Sequence, residues 1–295
     1  MQQHKLRMLA TLKKNRPALI MLGYILFLLI TGMVWPSEIT LLQGLGRIIR
    51  APGVLITDYM ALVGPGPTLV NAALVGLIGL AMVYFSGAAV SGPTVAAIFT
   101  MMGFALFGKS VFNILPIIAG VMLMSFYKKE RFCQFVILAM FGTTLAPLVS
   151  HICFSLQLAP VWGLLIGIVA GALLPELATH FLGVHAGFNL YNIGFAAGFL
   201  GTLITSQLRA FGRATDMIMI WSVEYTASLT VLLLCYFISL IILGTIIEPG
   251  AWRKLPQIFR QSGLLVSDFI VNTLWQASFS APKSKSGIPR IQGQF

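Results

Sequence analysis

The sequence has 295 residues, of which 58% are hydrophobic and only 9% are charged. A soluble globule of this length needs many more polar side chains to cover its surface, so the composition predicts an integral membrane protein. The formal net charge of +11 could suggest a nucleic-acid partner. The basic residues, however, lie at the amino terminus, in short loops and in the tail. That distribution is typical of membrane topology, and we predict no nucleic-acid partner.

Long stretches without charge define the fold class. Residues 132–175, 177–208 and 225–247 contain no Lys, Arg, Asp or Glu, and each can cross a hydrocarbon core of about 30 Å as a helix. Continuous apolar runs exclude a transmembrane β-barrel, because barrel strands alternate in polarity. The sequence therefore predicts an all-α polytopic bundle of about seven or eight segments in the lipid bilayer. The candidate segments are 17–35, 60–85, 92–107, 110–127, 132–150, 158–178, 186–207 and 226–247.

The basic residues also predict how these segments are oriented. The amino terminus, residues 1–16, and the basic cluster at 128–131 both favour the cytoplasm. Four crossings between them satisfy this preference, which favours 92–107 as a crossing although it is short. The basic residues at 209–213 and at 253–254 flank a single crossing, so one of these groups must lie outside. We predict a bacterial inner-membrane protein with a cytoplasmic amino terminus.

An internal repeat links the two ends of the chain. Residues 48–60, IIRAPGVLITDYM, return as IFRQSGLLVSDFI at 258–270. The match of Asp58 with Asp268 is the most informative, because Asp occurs only three times in the sequence. We interpret the chain as one complete unit plus the start of a second, and a coincidence between apolar stretches is the alternative. If 186–207 crosses the membrane, the two units are inverted; if it is re-entrant, they are parallel.

This repeat divides the chain into four regions. Residues 1–16 form a basic cytoplasmic amino terminus, and 17–250 form the transmembrane domain, whose first repeat unit starts at about 46. Residues 251–275 begin the incomplete second repeat and are expected to lie at the membrane interface. Residues 276–295 are expected to be a disordered tail.

The densest polar cluster is HAGFNLYNIGFAAGF at 185–199. Asn189, Tyr191 and Asn192 lie within four residues of one another, and each must find hydrogen-bond partners inside the membrane. The glycines in this stretch permit close helix contact. The polar residues therefore either cross-link a helix seam or line a solute path through a broken or re-entrant helix.

A second polar cluster lies between two apolar segments at 92–121. Its Lys109 either snorkels to the lipid head groups or faces a cavity, where it offers its charge to a solute or to Asp58. Asn113 lies four residues further on, and Asn71, within the 60–85 segment, is another buried amide with the same two interpretations. The predicted substrate pathway consists of Asn189, Tyr191, Asn192, Asn71, Asn113, Lys109 and Asp58.

Catalytic and metal-binding patterns are weak in this sequence. Glu176 and His180 would bring only two ligands to one helix face, His185 lies beyond a glycine, and the HExxH order is absent. There is no GxSxG, Walker loop or GxGxxG after a strand. The sequence predicts no catalytic residue, no metal, no cofactor and no enzymatic activity.

Three runs carry a resemblance to a known family: GPTVAAIFTMMGFALFGKSVFNILPIIAGV at 92–121, FGTTLAPLVS at 141–150 and HAGFNLYNIGFAAGFLGTL at 185–203. They resemble a family of bacterial multi-pass membrane proteins known only as a domain of unknown function. The similarity covers about 46–222 and resumes at 262–269. The resemblance implies a membrane protein and its fold, but it brings no activity.

Members of that family look longer than this chain. Their second half repeats the GPT, GFxxFGK and Asn-Ile-x-Pro pattern, whereas this chain ends where that second pattern should begin. We expect the chain either to form a homo-oligomer, which supplies the second unit in trans, or to be a truncated product. Truncation is favoured, with 264–275 too short to span the membrane.

Two hypotheses about function follow from these observations. The first is a transporter or channel for a small polar or ionic solute, with its path between two related halves. The second is a scaffold or assembly subunit whose polar residues only hold helices together.

Overall fold

A computed structural model of the protein describes residues 2–53, 56–156, 158–185, 192–213, 219–247, 249–250, 252–253 and 256. Almost all regular structure in these residues is helical, which confirms the predicted all-α polytopic bundle. The helices are α1 (Gln2–Val34), α2 (Leu41–Arg50), α3 (Tyr59–Val63), α4 (Pro65–Ser86), α5 (Gly92–Phe104), α6 (Val111–Tyr127), α7 (Val136–Gly142), α8 (Ala146–Phe154), α9 (Pro160–His185), α10 (Asn192–Ala210) and α11 (Thr226–Ile247).

Five segments of the described chain are long and apolar enough to cross a membrane. They are Arg16–Val34, Pro65–Ser86, Val136–Phe154, Pro160–Val184 and Thr226–Ile247. The third combines α7 and α8, which are joined by a 3₁₀ turn at Thr143–Leu145. Helices α5 and α6 are apolar but shorter. These segments establish a membrane-embedded protein.

Glycine contacts show that α4 and α5 run antiparallel. Gly76 of α4 faces Met102 of α5, and Gly79 faces Ile98. We call the end of the bundle where α4 begins the first end, and the end where it finishes at Ser86 the second end. Helix α5 therefore runs from the second end towards the first, but it stops at Phe104 and is not among the five segments long enough to cross a membrane. The predicted crossing at 92–107 stays a prediction.

Helices α6 and α9 run parallel and approach each other closely. Gly120 of α6 lies directly against the backbone of Ile168, and towards the second end Lys128 Nζ lies 2.7 Å from Glu176 Oε1. Helix α9 continues to His185, beyond the predicted end of the 158–178 segment.

Helix α10 crosses the bundle rather than turning back. At its start Asn192 Nδ2 donates to the carbonyl oxygen of Ala178 at 2.9 Å, near the second end. Beyond its last turn Arg213 Nη1 donates to the carbonyl oxygen of Leu156 at 3.4 Å, near the first end. The described part of the predicted 186–207 segment is thus a helix, Asn192–Ala210, that runs from the second end to the first.

The predicted 60–85 segment is broken near its start. Gly64 has a φ of +77°, a conformation that favours glycine, and Pro65 opens α4 without a backbone N–H. The chain therefore bends between α3 and α4, and the membrane helix begins at Pro65. An apolar pattern alone did not reveal this bend.

A layer of short elements lies over the first end of the bundle, and we call it the cover layer. It consists of α2, α3, and a parallel pair of two-residue strands, β1 (Ile56–Thr57) and β2 (Met219–Ile220). Gly44 of α2 packs on Pro67 of α4, and Ile48 of α2 is buried. Helix α2 ends at Arg50, just before Pro52, which has no backbone N–H with which to continue a helix.

Candidate functional site

Helices α5 and α6 are joined by residues 105–110, which we call the buried connection. Ala105, Lys109 and Ser110 in it are each at most 1% exposed. Gly108 has a φ of +91°, which lets the chain reverse without the strain that a side chain would add. Backbone groups in such a place need protein partners, because lipid offers none.

Asn113 supplies several of those partners. Its Oδ1 accepts from the Ser110 N–H at 2.8 Å, and its own N–H donates to Ser110 Oγ at 3.3 Å. This reciprocal pair caps the start of α6. Asn113 Nδ2 donates to the carbonyl oxygen of Gly108 at 2.9 Å and to Ser150 Oγ of α8 at 2.9 Å. One amide therefore fixes the turn, the helix start and a neighbouring helix.

Asn71 of α4 holds the other side of the buried connection. Its Nδ2 donates to the carbonyl oxygens of Ala105 at 2.7 Å and Lys109 at 2.9 Å. These bonds satisfy two backbone acceptors that α5 and α6 leave open. Asn71 is itself 1% exposed, so the contact lies inside the bundle.

Lys109 projects its amine into the bundle core. Nζ donates to Thr143 Oγ1 at 2.9 Å and lies 4.9 Å from the centre of the Phe104 ring. With 1% of the residue exposed, the interpretation that Lys109 snorkels to the head groups is wrong. Thr143 lies in the 3₁₀ turn between α7 and α8, near the middle of the Val136–Phe154 segment, so the amine lies deep in the bundle.

Lys109 also lacks a carboxylate partner in the described chain. Among these residues the ion pair within 4 Å is that of Lys128 with Glu176. Asp58 was one predicted partner for Lys109. Its carboxylate instead accepts hydrogen bonds from backbone N–H groups. The amine is therefore buried with one hydroxyl and one aromatic face as its neighbours.

Asp58 joins the cover layer to the buried connection. Its Oδ1 accepts from the Met60 N–H at 2.8 Å, and its Oδ2 accepts from the Ser222 N–H at 3.2 Å. Its backbone forms an isolated antiparallel bridge with Phe107. One carboxylate thus fixes the start of α3 and the segment after β2 directly above the buried connection.

Tyr59 strengthens the same junction. Its N–H donates to the carbonyl oxygen of Leu106 at 3.1 Å, and the residue is 2% exposed. Burial raises the pKa of the Tyr59 phenol, although a hydrogen bond with the Gly108 backbone opposes this. The phenol is therefore neutral and acts as a buried hydrogen-bonding group.

A cleft of about 700 Å³ opens in the cover layer at the first end. Met60 and Ser222 line it, and the backbone N–H groups of both bind Asp58 on the other side. Partial burial and then the carboxylates of Glu224 and Glu38 raise the pKa of Tyr225 in the cleft wall. The cleft also contains Pro36, Ser37, Ile39, Arg47, Ala61, Leu62, Val63, Gly64, Pro65 and Trp221.

The structure brings together four of the seven predicted pathway residues. Asn71, Lys109 and Asn113 meet at the buried connection, and Asp58 lies beside it. Asn192 lies elsewhere, near the second end, where its amide bonds the Ala178 carbonyl oxygen across the α9–α10 seam. The remaining two residues, Asn189 and Tyr191, lie outside the described residues.

Sequence reasoning missed three residues that complete the site: Thr143, Ser150 and Phe104. A signal was present, because FGTTLAPLVS at 141–150 interrupts an apolar run with hydroxyl residues and a proline. Such an interruption indicates a helix break with its own hydrogen-bonding needs. Which hydroxyl would meet which amide depends on packing between α6 and α8, which no local pattern encodes.

No group of three or more His, Cys, Asp or Glu side chains in the described chain is arranged to hold a metal ion. Glu176, one of the three residues considered for a metal, is paired with Lys128. The described part of the site thus offers an amine, amides, hydroxyls and one carboxylate.

Comparison with known proteins gives one match. The model of a family described as "Protein of unknown function (DUF1576)" matches residues 37–210. That range contains the cover-layer helices, the buried connection, Asn71, Thr143 and Ser150. No curated protein and no solved structure gives a significant match.

Proposed function

The chain belongs to the DUF1576 family of proteins of unknown function, and we propose that it is a membrane transporter or channel for a small polar or ionic solute. The observation that carries this proposal is the Lys109 amine, buried deep in the bundle and without a carboxylate partner in the described chain. Burying a lysine amine is costly whether it stays charged or gives up its proton. A purely structural core would be packed as well by an apolar side chain of similar volume.

A continuous series of contacts connects the cleft with Lys109. Met60 and Ser222 form part of the cleft wall, Asp58 bonds both of them from behind, and Phe107 bridges to Asp58. Lys109 follows two residues later in the same buried connection. A solute that entered from the first end would meet these groups in that order.

The arrangement corresponds to a closed state. Lys109 lies behind the cover layer and is 1% exposed, so a solute reaches it only if this layer or a neighbouring side chain moves. Asp58 is the group that holds the layer in place, because its carboxylate accepts two backbone N–H groups from separate segments. Several elements here are interrupted within the bundle, as is usual where transporters bind their solutes.

Flux into proteoliposomes tests this proposal. Purified protein is reconstituted and assayed with labelled neutral and charged solutes against protein-free vesicles. We expect uptake of at least one solute, and we expect Asp58→Ala to change its rate several-fold because the cover layer loses its anchor. Glu130→Ala is the matched control, because Glu130 is an exposed acidic residue near the second end and does not line the cleft, and it should leave the rate unchanged.

A scaffold or assembly subunit is the second candidate. It is favoured by Asn71 and Asn113, whose amides bond backbone and hydroxyl groups of neighbouring elements as a helix-locking network would. Transport would be rejected if no solute gave a flux and if Asp58→Ala only lowered the melting temperature. The scaffold function would then remain. Neither candidate involves catalysis.

Both candidate functions allow this chain to pair with a second copy of itself or with a separate second half. Burial of Lys109 and Asn113 does not require such pairing, because this chain alone leaves them 1% and 0% exposed. A second unit is therefore not needed to shield these two residues from lipid. A homo-oligomer would instead have to be held by the exposed apolar faces of the outer helices.

A further inference from the structure

We propose that Lys109 binds the oxyanion group, a carboxylate or a phosphate, of the solute that this protein carries. This inference rests on the proposed transport function and narrows its substrate class from any polar solute to an anion.

The hydrogen-bonding capacity of the site selects Lys109 over the two amides. A side-chain NH₂ group has two donors. Asn71 Nδ2 already uses both on backbone carbonyl oxygens, and Asn113 Nδ2 uses both on a carbonyl oxygen and the Ser150 hydroxyl. These amides therefore hold the buried connection in shape and have no donor to offer a solute.

The Lys109 ammonium, in contrast, has donors to spare. It has three N–H groups, and the hydrogen bond that it makes goes to Thr143 Oγ1. That hydroxyl passes its own hydrogen on to the carbonyl oxygen of Met140 at 2.6 Å, so its orientation as an acceptor is fixed. The Phe104 ring face provides a weaker electrostatic contact. Within the described chain the amine has further N–H groups to offer, and an incoming oxyanion would favour its protonated, charged form.

The Phe104 ring is a partly exposed group that lies between Lys109 and the protein surface. Lys109 is 1% exposed, whereas Phe104, whose ring covers Nζ, is 39% exposed. Phe107, 38% exposed, packs against that ring with 5.3 Å between centroids. Rotation of the Phe104 side chain would therefore uncover the ammonium without unfolding a helix. Closure of the ring over a bound pair would exclude water and strengthen the attraction.

Ligand-dependent melting of the purified protein tests the proposal. The probes are sodium acetate, succinate, phosphate and sulfate, with sodium chloride at equal ionic strength and glycerol and urea as neutral solutes. Wild-type protein should melt about 2 °C or more higher with at least one of the four oxyanions. In Lys109→Met the apparent affinity for that anion should fall about 30-fold or more, as expected when one partner of a buried charge pair is removed.

Two further variants make the result specific. Arg131→Gln removes a positive charge from an exposed residue near the second end and controls for general effects of salt on stability, so its response should match that of wild type. Thr143→Val removes the hydroxyl but keeps the amine, and it should retain anion binding. If Lys109→Met does not fold, Lys109→Arg keeps the charge and should retain the anion-dependent shift.

Several outcomes would overturn the inference. One is equal stabilisation of wild type and Lys109→Met by every oxyanion, and another is stabilisation of wild type by glycerol or urea alone. A shift produced by phosphatidylglycerol vesicles and by none of the soluble anions would assign the site to a lipid head group and not to a solute. If proteoliposomes take up a neutral solute and no anion changes the melting temperature, the proposed anion binding is rejected. The proposed transport function would still stand.

Discussion

Asn113 is the residue on which the local structure of the site depends most. Its side chain makes hydrogen bonds to the Ser110 N–H, the Gly108 carbonyl oxygen and Ser150 Oγ, all inside the bundle. Asn113→Ala leaves these groups without partners, so we expect it to lower the free energy of unfolding by about 2–4 kcal/mol. Denaturation with SDS from mixed micelles measures this change.

Thr202→Ala is the control for that prediction. Thr202 is exposed and its hydroxyl bonds only the Gly198 carbonyl oxygen of its own helix, so its loss should cost less than about 0.5 kcal/mol. Equal effects of the two substitutions would show that the Asn113 network contributes nothing beyond an ordinary surface hydrogen bond.

The sequence identified the residues of this network but not their partners. An Asn or Lys inside an apolar stretch is conspicuous because few such residues can be buried without compensation, which is why Asn71, Lys109 and Asn113 could be selected. Their partners are mostly backbone carbonyl oxygens of the buried connection. Any residue can supply a carbonyl oxygen, so no residue type marks such a partner in a sequence.

Close packing of α6 on α9 is the main contact between helices in this part of the bundle. A Cβ atom at Gly120 would overlap the carbonyl oxygen of Ile168, and one at Gly171 would overlap that of Ile117. Both obstacles are backbone atoms, which move only if the two helices separate. We expect Gly120→Ala to destabilise the protein by about 3 kcal/mol or more, measured as the shift in SDS denaturation.

Gly183→Ala provides the comparison within α9. Nothing lies within 4 Å of a Cβ atom at that position, and alanine favours helix over glycine by about 1 kcal/mol. The substitution should therefore be neutral or stabilising. A similar loss of stability at Gly120 and Gly183 would mean that the close contact with Ile168 is not the cause of the effect at Gly120.

Helix boundaries could be predicted where apolar sequence gives way sharply to polar sequence. They could not be predicted where contacts with other elements determine where a helix ends. The last crossing, 226–247, was predicted with the bounds that α11 has, because polar residues flank it on both sides. The bend at Gly64 and the 3₁₀ turn at Thr143–Leu145 were missed. Both interrupt apolar sequence without introducing charge. The first leads the chain from the cover layer into α4, and the second places Thr143 Oγ1 beside Lys109 Nζ.

The course of the chain through the bundle bears on the predicted repeat. Arg50 lies at the first end, and the chain then makes seven passes of alternating direction before it reaches Arg253 near the second end. The passes are α4, α5, α6, α7 with α8, α9, α10 and α11, of which α5 and α6 meet at the buried connection short of the first end. The same motif at 258–270 would then begin from the opposite end, which favours the inverted arrangement of the two alternatives. Residues 258–270 lie outside the described residues, so the repeat stays a prediction.

The distribution of basic residues over the two ends predicts which end faces the cytoplasm. In the described chain the first end has four basic residues, Arg47, Arg50, Arg209 and Arg213, and the second end has nine, Lys5, Arg7, Lys13, Lys14, Arg16, Lys128, Lys129, Arg131 and Arg253. Cytoplasmic loops carry the excess of Lys and Arg. We therefore expect the second end, with the amino terminus, to lie in the cytoplasm and the cleft to open on the outside.

Labelling of single cysteines in intact cells tests this orientation. After Cys133, Cys153 and Cys235 are replaced, a cysteine is introduced at Ser37 near the first end or at Glu130 near the second, both exposed. A membrane-impermeant maleimide should label Ser37→Cys in intact cells and Glu130→Cys only after lysis. The reverse pattern would place the cleft in the cytoplasm, and a solute entering through it would then be exported. Labelling of both positions before lysis would mean that the two ends are not separated by the membrane.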